Sequence, residues 1–69
     1  MKLSARNIIR GKILKVTLGA TTAHVTIDVG GGTVITASIT NEAVRELKLK
    51  KGDQAYAVIK ASDVMVGKD

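Results

Sequence analysis

One stretch of strict alternation constrains the fold of this chain more than any other feature. From Thr22 to Val29 every second residue is apolar, at Ala23, Val25, Ile27 and Val29. A repeat of two residues is typical of a β-strand with one buried face. Three glycines follow at Gly30 to Gly32, and the alternation resumes from Thr33 to Ile39. This pattern predicts a β-hairpin.

The segments on either side of the hairpin predict the remaining elements. Ile8 to Leu18 predicts a first strand, with Leu14, Val16 and Leu18 on one face and Ile13, Lys15 and Thr17 on the other; Gly11 interrupts it and suggests a bulge or tight bend. Thr40 and Asn41 are both capping residues, and the apolar residues behind them predict a helix of about two turns.

Two apolar pieces follow the helix. Gln54 to Ala61 alternates again and predicts a fourth strand, and Val64 to Val66 predicts a short fifth one. Five strands with one helix between the third and the fourth indicate a small barrel. We therefore predict an all-β fold with one short helix, an OB-like Greek-key five-stranded barrel, as a single domain over residues 1–69.

The composition predicts an oligomer. Tyr56 is the only aromatic residue among 69, and the chain has no Cys. A domain of this size buries about 60% of its unfolded surface, and small aliphatic side chains make the core thin. Without Cys there is no disulfide or thiolate metal site, and one histidine does not build a zinc site unaided. Association with further copies is the remaining source of stability.

The net charge of +5 favours an anionic partner. Nucleic acid, an anionic membrane surface and a small oxyanion are the candidate classes. We see no signal peptide and no apolar run of membrane-spanning length, so we expect a cytoplasmic protein without a membrane partner.

Two donor-rich segments lie near opposite ends of the chain. The first is Ser4-Ala5-Arg6-Asn7 and the second is Lys60-Ala61-Ser62. They offer hydroxyls, a guanidinium, an ammonium and backbone N–H groups, which suit a small oxyanion. The two segments can converge if the terminal strands or two subunits meet. Asp63 is the one acceptor nearby, and we expect it to point away or to orient a donor.

Other polar residues have plainer interpretations. Lys48, Lys50 and Lys51 form a basic cluster that is either solvated surface or a nucleic-acid contact. OB modules that hold single strands stack bases on aromatic side chains. This chain has only Tyr56, which argues against nucleic acid as the partner. His24 is expected to be an exposed strand residue or to pack against a neighbouring subunit. No catalytic constellation is recognisable, so an enzyme is not expected.

Five segments spread over nearly the whole chain carry a resemblance to a known family. They are Ser4-Ala5-Arg6-Asn7, Gly11, Thr22-Ala23-x-Val25, Leu49-x-x-Gly52 and Val58-Ile59-Lys60-Ala61-Ser62-Asp63-Val64-Met65. In these the sequence resembles the Mop family of molybdate-binding proteins, the molbindins. The resemblance implies an OB-like fold, a homohexamer built as a trimer of dimers, and molybdate or tungstate bound between subunits.

The resemblance also implies where the anion binds. The family's binding segments carry over onto Ser4, Ala5 and Arg6, and onto Lys60, Ala61 and Ser62. A second kind of site in the family follows the first strand and maps onto Gly19, Ala20, Thr21 and Thr22, with His24 nearby. We therefore expect an intracellular protein that binds molybdate or tungstate for storage and catalyses nothing, without a catalytic cofactor or a metal cation. The alternative is a small OB-type module that binds single-stranded nucleic acid.

Overall fold

The computed structural model describes the chain from Met1 to Asp69. Its elements are β1 (Asn7–Leu18), β2 (Thr22–Gly30), β3 (Thr33–Thr40), the helix α1 (Asn41–Leu47) and β4 (Gln54–Ile59), with a 3-10 turn at Ala61–Asp63. All neighbouring strands are antiparallel and form one curled sheet in the order β3-β2-β1-β4. The predicted all-β class with one short helix is confirmed.

The predicted hairpin joins β2 to β3. Gly30, Gly31 and Gly32 all have positive φ angles, of 96°, 61° and 82°. Side chains other than hydrogen rarely tolerate this region, which explains the run of glycines. The Oδ1 atom of Asp28 accepts a hydrogen bond of 2.9 Å from the N–H of Gly30 and ties the turn to the strand.

The predicted irregularity of the first strand exists, but it does not lie at Gly11. The pairing of β1 with β2 shifts register between Ile13 and Lys15. Gly11 itself pairs regularly with Ala55 of β4. A Cβ atom at Gly11 would lie 2.6 Å from the carbonyl oxygen of Asp28, so the glycine permits two backbones to approach closely.

This bulge corrects the predicted faces of β1. We predicted that Leu14, Val16 and Leu18 share one face and that Ile13 lies on the other. Instead Ile13 is buried and Val16 packs against the same core, while Leu14 and Leu18 are 39% and 53% exposed. A bulge inserts one unpaired residue, so the strand beyond it turns its other face inward.

The core is small, because only 7 of 69 residues are buried. The buried apolar side chains come from β1, β2, α1 and β4, and they are Ile13, Ala23, Val25, Ile27, Val44 and Ala57. The inward-facing residues of β3 are only partly buried, although their alternation is as predicted: Ile35, Ala37 and Ile39. The concave face of the sheet therefore opens onto an apolar cleft of about 850 Å³ between β3 and β4.

The helix begins where the sequence predicts. Thr40 is the N-cap, and its Oγ1 atom accepts a hydrogen bond of 3.0 Å from the N–H of Ala43. Asn41 is the first helical residue and is buried. In the predicted apolar stripe Val44 is buried, whereas Leu47 is 66% exposed and lies outside the core.

The predicted fifth strand is wrong for the single chain. The strand β4 ends at Ile59 rather than Ala61, because a 3-10 turn follows in which the N–H of Asp63 donates to the carbonyl of Lys60 over 2.9 Å. Val64 to Val66 pairs with no strand. Met65 and Val66 are 93% and 94% exposed, so this apolar piece has no surface of its own chain to cover it.

The structure contains one short α-helix and one 3-10 turn. None of its helices is long and apolar enough to span a membrane.

Candidate functional site

The two donor-rich segments meet within one chain. β1 and β4 are antiparallel, and Asn7 and Ile59 are their last paired residues at this end of the sheet. Arg6 and Lys60 are the next residues outward on the two adjacent strands. The side chain of Asn7 donates from Nδ2 to the carbonyl oxygen of Ile59 over 3.2 Å and ties the two segments together. The two segments were expected to converge either through the terminal strands or through two subunits, and the terminal strands bring them together in the single chain.

The hydrogen bonds at this end leave donors free and occupy acceptors. The carbonyl of Lys60 accepts from Asp63 and that of Ala61 accepts from Val64, at 2.9 and 3.2 Å, within the 3-10 turn. The backbone N–H groups of Ala61 and Ser62 take no part in the two hydrogen bonds that close this turn. The N–H groups of Ser4, Ala5 and Arg6 are free. We call these two segments, residues 4–6 and 60–62, the terminal donor cluster.

The charged side chains of the terminal donor cluster are unpaired. Arg6 and Lys60 are exposed, and neither takes part in any side-chain hydrogen bond of the chain. Asp63 accepts none either; it lines the apolar cleft. Two cations, two hydroxyls and several free N–H groups therefore face solvent together. Such a group of donors suits a dianion whose oxygens only accept hydrogen bonds.

The second predicted site is the turn between β1 and β2, at the opposite end of β1. In this turn, Gly19 to Thr22, three of the four carbonyl groups accept hydrogen bonds within the chain. The N–H of Gly19 donates to the carbonyl of Thr22 over 2.9 Å, and the carbonyls of Gly19 and Thr21 accept from Asn41. The N–H groups of Ala20 and Thr21 donate to nothing within the chain. The turn thus presents donors to solvent, as an anion site requires.

Asn41 is the residue that sequence reasoning missed here. We took it for a capping residue, but Thr40 alone caps the helix. The Nδ2 atom of Asn41 donates to the carbonyl of Gly19 over 2.8 Å, and its backbone N–H donates to the carbonyl of Thr21 over 2.9 Å. The signal was present in the sequence, because two consecutive capping residues exceed what one helix start can use.

His24 lies on the exposed face of β2, two residues beyond Thr22 and on the same side of the strand. Its register partners are Thr17 of β1 and Ser38 of β3, and its side chain makes no hydrogen bond within the chain. His24 is exposed in the single chain, as both expectations for it require. The chain holds no group of three or more His, Cys, Asp or Glu that could bind a metal ion.

Comparisons with known proteins agree with this geometry. The model of the TOBE domain matches residues 3–66. A probable molybdenum-pterin-binding protein of Haemophilus influenzae is 49% identical over 67 residues, which cover 97% of each chain.

Two solved structures extend the comparison from sequence to fold. The molybdate-binding protein of Sporomusa ovata superposes with a TM-score of 0.92 at 34% identity, covering 99% of this chain and all of that one. The cytoplasmic molybdate-binding protein ModG, solved with molybdate bound, gives a TM-score of 0.89 at 52% identity; the match covers 94% of this chain and 46% of ModG. These relatives are named as binding proteins and not as enzymes. The chain therefore belongs to the TOBE-domain family, among the Mop-type molybdenum-binding proteins.

Proposed function

We propose that this protein binds molybdate, or the closely similar tungstate, within the cell and stores it without transforming it. The observation that carries this proposal is the terminal donor cluster, where two cations, free N–H groups and hydroxyls lie together at the Asn7–Ile59 end of the sheet. The names of the relatives supply the identity of the anion. The proposed ligands are Ser4, Ala5, Arg6, Lys60, Ala61 and Ser62.

The donors of this site should discriminate among oxyanions by whether the anion carries a proton. Molybdate is a tetrahedral dianion that accepts hydrogen bonds and donates none. Hydrogen phosphate carries a proton that needs an acceptor, and the carbonyls of Lys60 and Ala61 are already occupied. Phosphate should therefore bind more weakly than molybdate. Sulfate lacks the proton but is smaller, so it should fit loosely, whereas tungstate should compete closely with molybdate.

We propose that the anion binds between subunits of a homo-oligomer, with six subunits as the resemblance implies. The openness of the terminal donor cluster supports this, because five of its six residues are exposed in the single chain. The exposed apolar surface supports it too: Ile8 and Val58, which are register partners on the outer face, are 41% and 44% exposed. An anion held by one chain alone would stay largely hydrated, and a second subunit would complete its coordination.

The five-stranded Greek-key barrel stays a proposal for the assembled protein. The strand order supports it, because β4 returns over a long connection to lie beside β1. A fifth strand would have to form from Val64 to Val66 on assembly. We likewise propose the Gly19–Thr22 turn, with His24 nearby, as the second anion site, since the N–H groups of Ala20 and Thr21 donate to nothing within the chain.

The proposed location is the cytoplasm, and the proposed role is storage. The related ModG is a cytoplasmic molybdate-binding protein, which supports the location. Storage follows from the absence of a proposed reaction: a site made of donors alone binds and releases an oxyanion without changing it.

Calorimetric titration of the native assembly with sodium molybdate tests the proposal. Parallel titrations use tungstate, sulfate, phosphate and a single-stranded oligonucleotide. We expect saturable binding of molybdate and tungstate, weaker binding of sulfate and phosphate, and no binding of the oligonucleotide. If phosphate displaced molybdate at equal concentration, or if only the oligonucleotide bound, the proposed function would be wrong.

A further inference from the structure

We infer that Asn41 is the positioning residue of the Gly19–Thr22 turn, which it holds in the form that binds an anion. This inference rests on the proposed function, because it assigns a role at the second proposed site. Asn41 does not touch the anion; it acts through the backbone of the turn. It is also the only buried polar residue of the chain, with 7% of its surface exposed.

The two hydrogen bonds of Asn41 fix the direction of peptide groups in the turn. Each peptide unit has its carbonyl and its N–H on opposite sides, so fixing one fixes the other. Asn41 draws the carbonyl of Gly19 inward with Nδ2 and the carbonyl of Thr21 inward with its backbone N–H, at 2.8 and 2.9 Å. The carbonyl of Gly19 belongs to the same peptide unit as the N–H of Ala20. Drawing that carbonyl inward therefore turns the N–H of Ala20 outward.

The side chain of Asn41 makes one hydrogen bond and leaves one acceptor without a partner. The Oδ1 atom of Asn41 is buried and has no hydrogen-bond partner. Within the single chain this acceptor has given up its hydrogen bonds to water without gaining a partner, which is unfavourable. The carbonyl of Gly19 lies on an exposed residue and would find water without Asn41. For stability alone an apolar side chain of similar volume would serve as well, so what the amide specifically provides is the orientation of the turn.

The experiment follows the two sites separately in one protein. Backbone amide resonances of a ¹⁵N-labelled assembly are recorded during titration with sodium molybdate. Ala5 and Ala61 report on the terminal donor cluster, and Ala20 and Thr21 report on the turn. The test variant is Asn41→Leu, which removes the Nδ2 donor and the unpartnered Oδ1 together while keeping a similar volume.

The matched control is Thr40→Val at the neighbouring position. It removes the helix cap, the 3.0 Å bond to the N–H of Ala43, but leaves both bonds of Asn41 to the turn. This control should lower the melting temperature, because the loss of the N-cap weakens the start of the helix. If Asn41 served only to stabilise the start of α1, the two variants would behave alike.

We expect Asn41→Leu to weaken binding at Ala20 and Thr21 by about fivefold, the effect of one hydrogen bond, and to leave binding at Ala5 and Ala61 unchanged. Thr40→Val should lower the melting temperature and leave both sites unchanged. Unchanged binding at the turn in a folded Asn41→Leu protein would overturn the inference, and so would equal weakening at both sites.

A second measurement uses the wild-type protein and does not depend on the folding of a variant. The side-chain NH₂ resonances of Asn41 should shift with the same molybdate dependence as the amide of Ala20. If the resonances of Ala20 shift while those of Asn41 stay fixed, Asn41 does not position the turn. If no resonance of either site responds to molybdate, the proposed function itself fails, and that outcome differs from every result that concerns Asn41 alone.

Discussion

The two proposed anion sites lie at opposite ends of β1 and rely on different physical means. The terminal donor cluster has charge, from Arg6 and Lys60, and the one side-chain hydrogen bond beside it, from Asn7 to the carbonyl of Ile59 over 3.2 Å, lies between the adjoining strands. The turn from Gly19 to Thr22 contains no charged residue, yet three hydrogen bonds of 2.8–2.9 Å fix its carbonyls. In the proposed sites, charge would attract the anion at one end, and hydrogen bonds within the chain would hold the backbone ready for it at the other.

The two proposed sites also differ in whether a single chain can complete them. Arg6 and Lys60 lie open to solvent, so the proposed anion there would need a second subunit to surround it. The turn obtains its geometry inside the single chain, from Asn41 on the helix that follows β3. Changes to charge should therefore affect the terminal donor cluster most, and changes to backbone geometry should affect the turn most. The predictions below are tests of this separation.

The largest effect is expected from the substitution Arg6→Ala. A charge-assisted hydrogen bond contributes about 1.5–3 kcal/mol, so affinity for molybdate at the terminal donor cluster should fall by roughly tenfold to a hundredfold. Arg6→Lys should also weaken binding, because an ammonium cannot reproduce the planar guanidinium fork. Titration followed at Ala5 and Ala61 measures both. Unchanged affinity in Arg6→Ala would remove Arg6 from the site.

Much of the fold could be predicted from the sequence because local patterns determine it. The alternation from Thr22 to Val29 and the glycines that follow specify a hairpin whatever surrounds it, and the structure shows that hairpin. The approximate start of the helix was equally readable from Thr40. The meeting of the two donor segments was predicted as one of two possibilities, and the register of β1 with β4 decided between them for the single chain.

The errors arose where a distant partner decides the outcome. The position of the bulge depends on how β1 fits β2, and that fit places it after Ile13 rather than at Gly11. Val64 to Val66 has an apolar pattern but no neighbour in the single chain, so composition alone could not make it a strand. Asn41 was taken for a cap because its true partner, Gly19, lies 22 residues earlier in the sequence.

The next effect concerns the stabilisation of the assembly by its ligand. An anion that bridges subunits stabilises the native state by mass action, by about 2.7 kcal/mol at a concentration of one hundred times the dissociation constant. A thermal scan should show a higher melting temperature with molybdate for the wild type. Arg6→Ala should keep about 1.4 kcal/mol of this stabilisation after a tenfold loss of affinity and about 0.4 kcal/mol after a hundredfold loss. Equal stabilisation of the two proteins would contradict a charged site that bridges subunits.

A smaller effect is expected from Gly19→Ala. A Cβ atom at Gly19 would lie 2.5 Å from the carbonyl oxygen of Thr22, so the turn must open to admit it. Binding followed at Ala20 should weaken by about fivefold, as for the loss of one hydrogen bond, while binding at Ala61 stays the same. The matched control is Gly67→Ala, where an added Cβ would meet no atom within 4 Å. If Gly19→Ala weakened molybdate binding at Ala61 and not at Ala20, the turn would not be the site that depends on backbone geometry.

The smallest effect is expected from the exposed lysines beyond the helix, Lys50 and Lys51. The backbone N–H of Lys50 donates to the carboxylate of Asp53 over 3.2 Å, and its carbonyl accepts from the N–H of Asp53 over 3.1 Å. These bonds hold the turn through its backbone, so Lys50→Ala and Lys51→Ala remove side chains that the turn does not use.

Removal of a solvated surface charge changes an interaction energy by about 0–1 kcal/mol, so affinity for molybdate should stay within about fivefold of the wild type. A nucleic-acid module predicts the reverse. In such a module the lysines of this turn would neutralise phosphates, and affinity for a single strand would fall steeply with salt. Titration of both variants with molybdate and with a single-stranded oligonucleotide, at two salt concentrations, separates the two functions. A loss of oligonucleotide binding with a steep salt dependence would transfer the functional role from the terminal donor cluster to this lysine turn.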